Sequence, residues 1–244
     1  MSEQVLAIGV DGARGGWLAA LGYGSDPEGE VERVALELVP RFADLAGLRA
    51  EGAPAAVDIP MGLLETVKPR DCDREARELL GARASTIFTP PSRSLLAAAS
   101  YADARGLIEV ERATKPAASG LSAQAFGLAP KIREADDYLR ANAGAQKWLF
   151  ECHPELSFLT LAKKVLPDKK SVAGQAERLA LLSARFPGVP DALQEFPDGS
   201  RRAELADALD ALVCLDTALR VRTKDFKLLG GEQDAARLAM RMVF

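Results

Sequence analysis

Three short apolar runs in this chain each end on an acidic residue. LAIGV runs into Asp11, PAAV into Asp58 and KWLF into Glu151. Apolar runs this short, bounded by turn-forming residues, fit buried strands better than helices, which need ten residues or more. An ionised carboxylate at the end of a buried strand is costly unless it is hydrogen-bonded, paired or bound to a cation. Parallel strands of an open α/β sheet present their carboxyl ends at one edge, where ligands bind. Three parallel neighbours would therefore bring Asp11, Asp58 and Glu151 together.

A fourth element adds to the set. A helix expected over residues 202–221 carries Asp207-Ala-Leu-Asp210. Spacings of three and four put Asp207, Asp210, Cys214 and Thr217 on one stripe, beside an apolar face of Leu205, Leu209, Leu212 and Val213. Four or five carboxylates would then meet without histidine or cysteine. Oxygen-only ligation suits Mg²⁺ or Mn²⁺ rather than zinc, and such ions activate water for phosphodiester cleavage. Taken singly, a strand-end Asp is ordinarily a turn or cap residue, and an Asp pair opening a helix complements the helix dipole. Repetition on separate elements is what favours a site.

Composition narrows the chemistry further. The chain has 244 residues, a formal net charge of -4 and one histidine, His153. A three-histidine zinc site is excluded, and the acidic balance argues against a non-specific nucleic-acid coat while leaving room for a local basic groove. Cys72, Cys152 and Cys214 are widely spaced with no CxxC, so neither a disulfide framework nor a cysteine zinc site is indicated. The N-terminus lacks the basic region of a signal peptide, and no apolar run approaches the ~20 residues that span a bilayer. The expectation is a reduced, cytoplasmic protein with no membrane partner.

Periodicity predicts strands over residues 4–10, 17–23, 31–39, 54–59 and 147–150. It predicts helices over 42–50, 71–80, 131–141, 155–165, 172–185 and 202–221. The order is that of an α/β layered domain, here one domain over 1–244 with a helical insertion at about 64–146. Trp17 and Trp148 read as core residues.

Basic residues gather at 68–93. Arg70, Arg74 and Arg77 share a predicted helix face, which reads as a phosphate-facing strip or as a solvated, salt-bridged helix. Thr89 and Arg93 lie in TIFTPPSR, a stiff loop suited to lining a substrate. Lys169, Lys170 and Ser171 precede a helix whose N-terminus suits a phosphate, although Ser171 serves equally as a plain cap. Gly12, Gly15 and Gly16 suit a tight hairpin turn, and no GxxxxGK[ST] motif is present.

Several of these segments together resemble one family. They are GVDGARGGW at 9–17, DIPMGL at 58–63, RDCDREARELLGARASTIFTPPSR at 70–93, GLSAQAFGLAPKIREAD at 120–136, ECHPELSF at 151–158 and DALDAL at 207–212. The chain resembles the DUF429 family, a group of predicted nucleases with a ribonuclease H-like fold. The resemblance implies a mixed five-stranded sheet flanked by helices, with three antiparallel strands joined to two parallel ones. Holliday-junction resolvases share that core, and by similarity to them Asp11, Asp58, Asp207 and Asp210 fall on metal-ligand positions. Glu151 and His153 join them as catalytic candidates through the Glu-Cys-His-Pro motif, with His153 as general acid, as a group that orients a ligand, or as a plain helix-entry residue before Pro154. Resolvases usually carry Glu where this chain has Asp58, one methylene shorter. The substrate-binding candidates are Arg70, Arg74, Arg83, Thr89, Arg93 and Lys170.

The implied activity is metal-dependent hydrolysis of a phosphodiester by activated water, with Mg²⁺ or Mn²⁺ as cofactor. Nucleic acid or another phosphodiester is the partner, and a homodimer is a candidate assembly. Two alternatives compete: an ATP-binding phosphotransferase of the actin and sugar-kinase-like fold, and a non-catalytic binding module of the same fold.

Overall fold

A computed structural model describes residues 3–115, 118–196 and 203–244. In chain order its elements are β1 (Gln4–Ala13), β2 (Gly16–Gly24), β3 (Arg33–Val39), α1 (Leu45–Leu48), β4 (Ala55–Val57), α2 (Asp71–Leu80), α3 (Tyr101–Thr114), α4 (Ala123–Gly127) and α5 (Ala129–Ala141). They continue with β5 (Leu149–Cys152), α6 (Pro154–Ala162), α7 (Val172–Arg185), α8 (Val189–Glu195), α9 (Leu205–Thr223), β6 (Leu228–Gln233) and β7 (Ala239–Val243). The chain divides into two compact units. One comprises Met1–Ile59, Lys147–Lys227 and Val243–Phe244; the other comprises Pro60–Gln146 and Leu228–Met242.

The first unit is built on five strands in the order β3-β2-β1-β4-β5. β1, β2 and β3 form an antiparallel meander, and β4 and β5 add in parallel to β1. This is the arrangement of three antiparallel and two parallel strands that the family resemblance implies, in an α/β fold. β1 is buried from Leu6 to Asp11 because it lies inside the sheet with both faces covered. Trp17 is fully buried and meets the Phe42 ring edge-on, with centroids 4.9 Å apart, a pairing worth about 0.5–1.5 kcal/mol beyond its buried area.

α9 is the central helix of this unit. The expected two-faced helix is not what is found: Ala208 to Leu219 are all buried, so the Asp210–Cys214–Thr217 stripe is as dry as the leucine face. Polar members of the stripe find partners inside, as in the 2.7 Å hydrogen bond between Thr217 Oγ1 and Ser157 Oγ. The two ends of the helix are open, where Leu205 and Thr223 are exposed. The expected start at Arg202 lies outside the described residues.

In the second unit, α2 to α5 are accompanied by β6 and β7, a hairpin closed by an Asp234 turn in which the Arg237 N–H donates to the Asp234 carbonyl at 2.9 Å. The described residues thus contain seven strands, not five. β6 and β7 escape sequence reading because LLGGEQ has paired glycines and charges, and AMRMV is methionine-rich rather than β-branched. The helix expected over 42–50 shrinks to a 3₁₀ turn and α1.

Two strand boundaries move in ways that matter. β1 continues through Asp11 to Ala13, because Asp11 pairs with Leu18 and Gly12 with Trp17 on β2. β5 covers Leu149 to Cys152, so Glu151 lies within the strand rather than after it.

Candidate metal centre

The register of the parallel strands decides which side chains meet. Val10 is level with Val57, and Val57 with Glu151. The Asp58 N–H donates to the Val10 carbonyl at 2.9 Å, which carries the pairing one residue further. Side chains alternate between faces along a strand. Gly9 and Asp11, Ala56 and Asp58, and Phe150 and Cys152 therefore share one face, while Val10, Val57 and Glu151 share the other.

α9 covers the first of these faces. A Cβ on Gly9 would stand 2.0 Å from the Leu215 nitrogen and 2.1 Å from the Ala211 carbonyl oxygen. Only glycine lets the helix backbone approach β1 so closely. That contact sets Asp210, one residue before Ala211, beside Asp11 and Asp58. The Cys152 Sγ on β5 lies 3.3 Å from the Cys214 Sγ on α9, both thiols free and buried.

Asp11 and Asp210 are buried and Asp58 is half-buried. Burial pushes the Asp11 carboxyl well above its ordinary range, and the charges of Asp58, Asp210 and Asp207 push it further. Burial likewise raises Asp58 to about 6, partly offset by Lys169 and reinforced by Glu155. Asp210 also rises to about 6 through burial, with Lys169 opposing and Asp58 adding to the shift. These groups feel one another in a low-dielectric place, the condition under which like charges cannot all ionise cheaply.

The flanking residues are fixed by local structure. Asp11 Oδ1 accepts from the Gly12 N–H at 2.8 Å. Asp207 is the third residue of α9, and its Oδ2 accepts from the Glu204 N–H at 2.9 Å, so it caps the helix start as well as placing its charge near Asp11. His153 precedes α6, with Pro154 in the first turn; its Nδ1 accepts from the Glu155 N–H at 3.3 Å. With Nδ1 an acceptor, the proton of the neutral ring sits on Nε2. The ring is near enough to Asp210 to lower that group's pKa.

Glu151 departs from expectation. It is buried on the opposite face of β5 from Asp58, and the residue level with Asp11 and Asp58 is Cys152. Lys169, not the expected Lys170, is the lysine at the cluster. Its Nζ reaches Asp210 Oδ2 at 2.6 Å, whereas Lys170 is exposed and its backbone N–H donates to Asp168 Oδ1. Ser171 is a plain cap, accepting from the Gly174 N–H at 3.0 Å. The opposite order of the two lysines is not readable without the loop geometry.

The arginines expected to face phosphate are mostly internal fasteners of the second unit. Arg70 is not on the α2 face with Arg74 and Arg77; it is the residue before the helix, 2% exposed, paired with Asp73 at 2.7 Å and donating to the Met61 carbonyl. Arg77 donates to the Ile87 carbonyl and to Thr89 Oγ1. Arg93 binds Asp136 at 2.9 Å and also Asp234. Burial works against its charge, but the two carboxylates outweigh that and hold its proton more firmly than usual. Arg83 sits in the 3₁₀ turn Gly81–Thr86, and Arg74 is exposed beside Asp71. The signal was present in RDCD, where the acid three residues after Arg70 accepts the Arg70 N–H at 2.9 Å and pairs with its guanidinium.

A family model described as "Protein of unknown function (DUF429)" matches residues 9–235. The chain belongs to the DUF429 family. The matched span of this DUF429 chain includes Asp11, Asp58, Asp207 and Asp210. Among curated proteins none matches it. Among solved structures it is similar to a Thermus thermophilus RuvC structure, at 15% identity over 90% of this chain and 96% of that chain, with a TM-score of 0.33. No helix among the described residues is long and apolar enough to cross a membrane.

The donor set fits a hard divalent cation. Asp11, Asp58 and Asp210, carried on three elements, each feel the charge of Lys169 and offer oxygen donors of the kind hard divalent cations prefer, while the nearby Cys152 and Cys214 thiols pair with each other.

Proposed function

We propose that this protein is a divalent-metal-dependent phosphodiesterase that hydrolyses nucleic acid or another phosphodiester. The observation that carries the reading is the convergence of Asp11, Asp58 and Asp210 in a dry setting that raises all three pKa values. Clusters of carboxylates with strongly raised pKa values concentrate at functional sites. Asp11, Asp58 and Asp210 would hold Mg²⁺ or Mn²⁺, with Asp207 beside them. When bound, such an ion supplies a water of lowered pKa and charge stabilisation at phosphorus.

The chain's own residues divide the remaining work. The β1 and β4 backbones fix Asp11 and Asp58 level with each other, and Gly9 holds α9 close enough to complete the set. His153 keeps a proton on Nε2 because Nδ1 is engaged with Glu155, so it is a donor suited to a leaving oxygen. Among the described residues one sheet of this topology occurs, which favours hydrolysis over an ATP-binding core built from two copies.

The test is cleavage of branched, hybrid and single-stranded nucleic acids, and of small phosphodiesters, with Mg²⁺ or Mn²⁺. Cleavage that stops in Asp11→Asn is the expected result. Full activity in that variant would remove the assignment.

A further inference from the structure

Among the described residues Lys169 is the ammonium set against the buried carboxylates, and its loop is held in place by several bonds. Arg178, itself fully buried, donates through Nη1 to the Pro167 carbonyl at 2.8 Å and to the Gly174 carbonyl at 3.1 Å. Its Nη2 donates to Glu155 Oε1 at 2.7 Å. A Cβ on Gly174 would stand 2.0 Å from the Asp168 carbonyl oxygen, so residues 167 and 168 lie directly on the first turn of α7. The Ser171 hydroxyl donates to the same carbonyl at 2.7 Å. The backbone on either side of Lys169 is thus anchored, while 42% of its side chain remains in solvent and that of Asp210 is 3% exposed. An anchored backbone carrying a long, partly solvated side chain can release its charge without unpacking the core.

We propose that Lys169 is a built-in counter-cation that holds Asp210 in the metal-free protein and yields it when a divalent ion binds. The inference rests on the metal reading of the carboxylates given above. Asp210 accepts Lys169 through Oδ2, so the ammonium already neutralises the negative charge that a divalent ion would draw on, and the two compete for the same carboxylate. The arrangement lowers metal affinity, keeps the apo site from unfolding under its own repulsion, and leaves a released ammonium beside the position where an anionic substrate would lie. Arg178 is a positioning residue in this scheme, acting through the loop that carries Lys169.

Three measurements test it. Titration calorimetry with Mn²⁺ on wild type, Lys169→Met and Lys169→Arg should show Lys169→Met binding roughly tenfold more tightly, and the charge-retaining Lys169→Arg close to wild type. Melting in EDTA should show Lys169→Met several degrees below wild type, because a buried carboxylate has lost its partner, with the deficit closed by Mn²⁺. In the wild-type protein, reductive methylation read by mass spectrometry should modify Lys169 slowly in EDTA and faster with Mn²⁺; this arm stands even where Lys169→Met does not fold. Unchanged Mn²⁺ affinity in Lys169→Met, or equal methylation with and without Mn²⁺ in a wild type that binds the ion, overturns the counter-cation role alone. Absence of Mn²⁺ binding by every variant overturns the metal reading and this inference together.

Discussion

Asp58 donates its backbone N–H to the Val10 carbonyl across 2.9 Å. This single bond places Asp58 level with Asp11 on neighbouring parallel strands and sends both side chains towards α9. It also sets a cost, because burial and the charge of Asp58 raise the proton affinity of Asp11.

Replacing one of these acids should stabilise the metal-free protein. Asp58 is raised from 3.8 to about 6, a shift of roughly two units at 1.36 kcal/mol each. Asp58→Asn should gain roughly 1–3 kcal/mol at pH 8 in EDTA, and a few degrees in Tm, while losing Mn²⁺ binding. The sign with pH follows from the direction of the shift. The folded protein holds protons that the unfolded chain has released, so this stability is fully present below about pH 4 and is lost as pH rises through about 6. Denaturant melts of wild type against Asp58→Asn across pH 4–8 should diverge over that window. Mn²⁺ affinity of the wild type should rise over the same window, because the ligands must lose their protons.

Glu151 offers the sharpest contrast with the aspartates. It lies on the sheet face opposite Asp11 and Asp58, so Glu151→Gln should leave Mn²⁺ affinity within about twofold of wild type, a difference of less than 0.5 kcal/mol. Calorimetry of Glu151→Gln beside Asp11→Asn checks this. Equal loss in both variants would show that Glu151 belongs to the cluster.

Gly9→Ala should be severely destabilising although it adds one methyl group. The new Cβ would sit 2.0 Å from the Leu215 nitrogen, backbone that cannot step aside. Overpacking of this kind costs typically 1–3 kcal/mol, and more where backbone must shift. Urea unfolding should show a loss at or above the top of that range, accompanied by weaker Mn²⁺ binding because Asp210 moves with α9.

Arg93→Met separates a fastener from a phosphate contact. Removing the guanidinium takes the close ion-pair partner from Asp136 and Asp234, both buried; Arg140 and three backbone N–H groups still reach them, so the loss should stay at or below the about 3–5 kcal/mol of a broken buried pair. Hydrogen exchange should localise the loss to residues around Asp136 and the β6–β7 turn. A protein of unchanged stability with weakened nucleic-acid binding would restore Arg93 to the substrate surface.

The acid-ended apolar runs and the absence of other histidines and of paired cysteine motifs were enough to point to a carboxylate site on a mixed α/β sheet. Those features are local: a short apolar run becomes a buried strand wherever it lies, and an acid beside it must be compensated. Capping signals were equally local, which is why Ser171, Asp207 and the RDCD segment are explicable residue by residue. Three matters were decided only in three dimensions. Whether β5 ends before or after Glu151 depends on its register with β4, and a shift of one residue turns a side chain to the other face. Which of Lys169 and Lys170 meets Asp210 depends on a loop pinned by Arg178 and Gly174, residues with no sequence signature of that role. The fate of Arg70 and Arg93 depends on acids, Asp73, Asp136 and Asp234, two of them distant in the chain and brought near by folding. The strand acids follow from the chemistry of the chain; the composition of the cluster follows from parity, close approach and pairing, which exist only once the chain is folded.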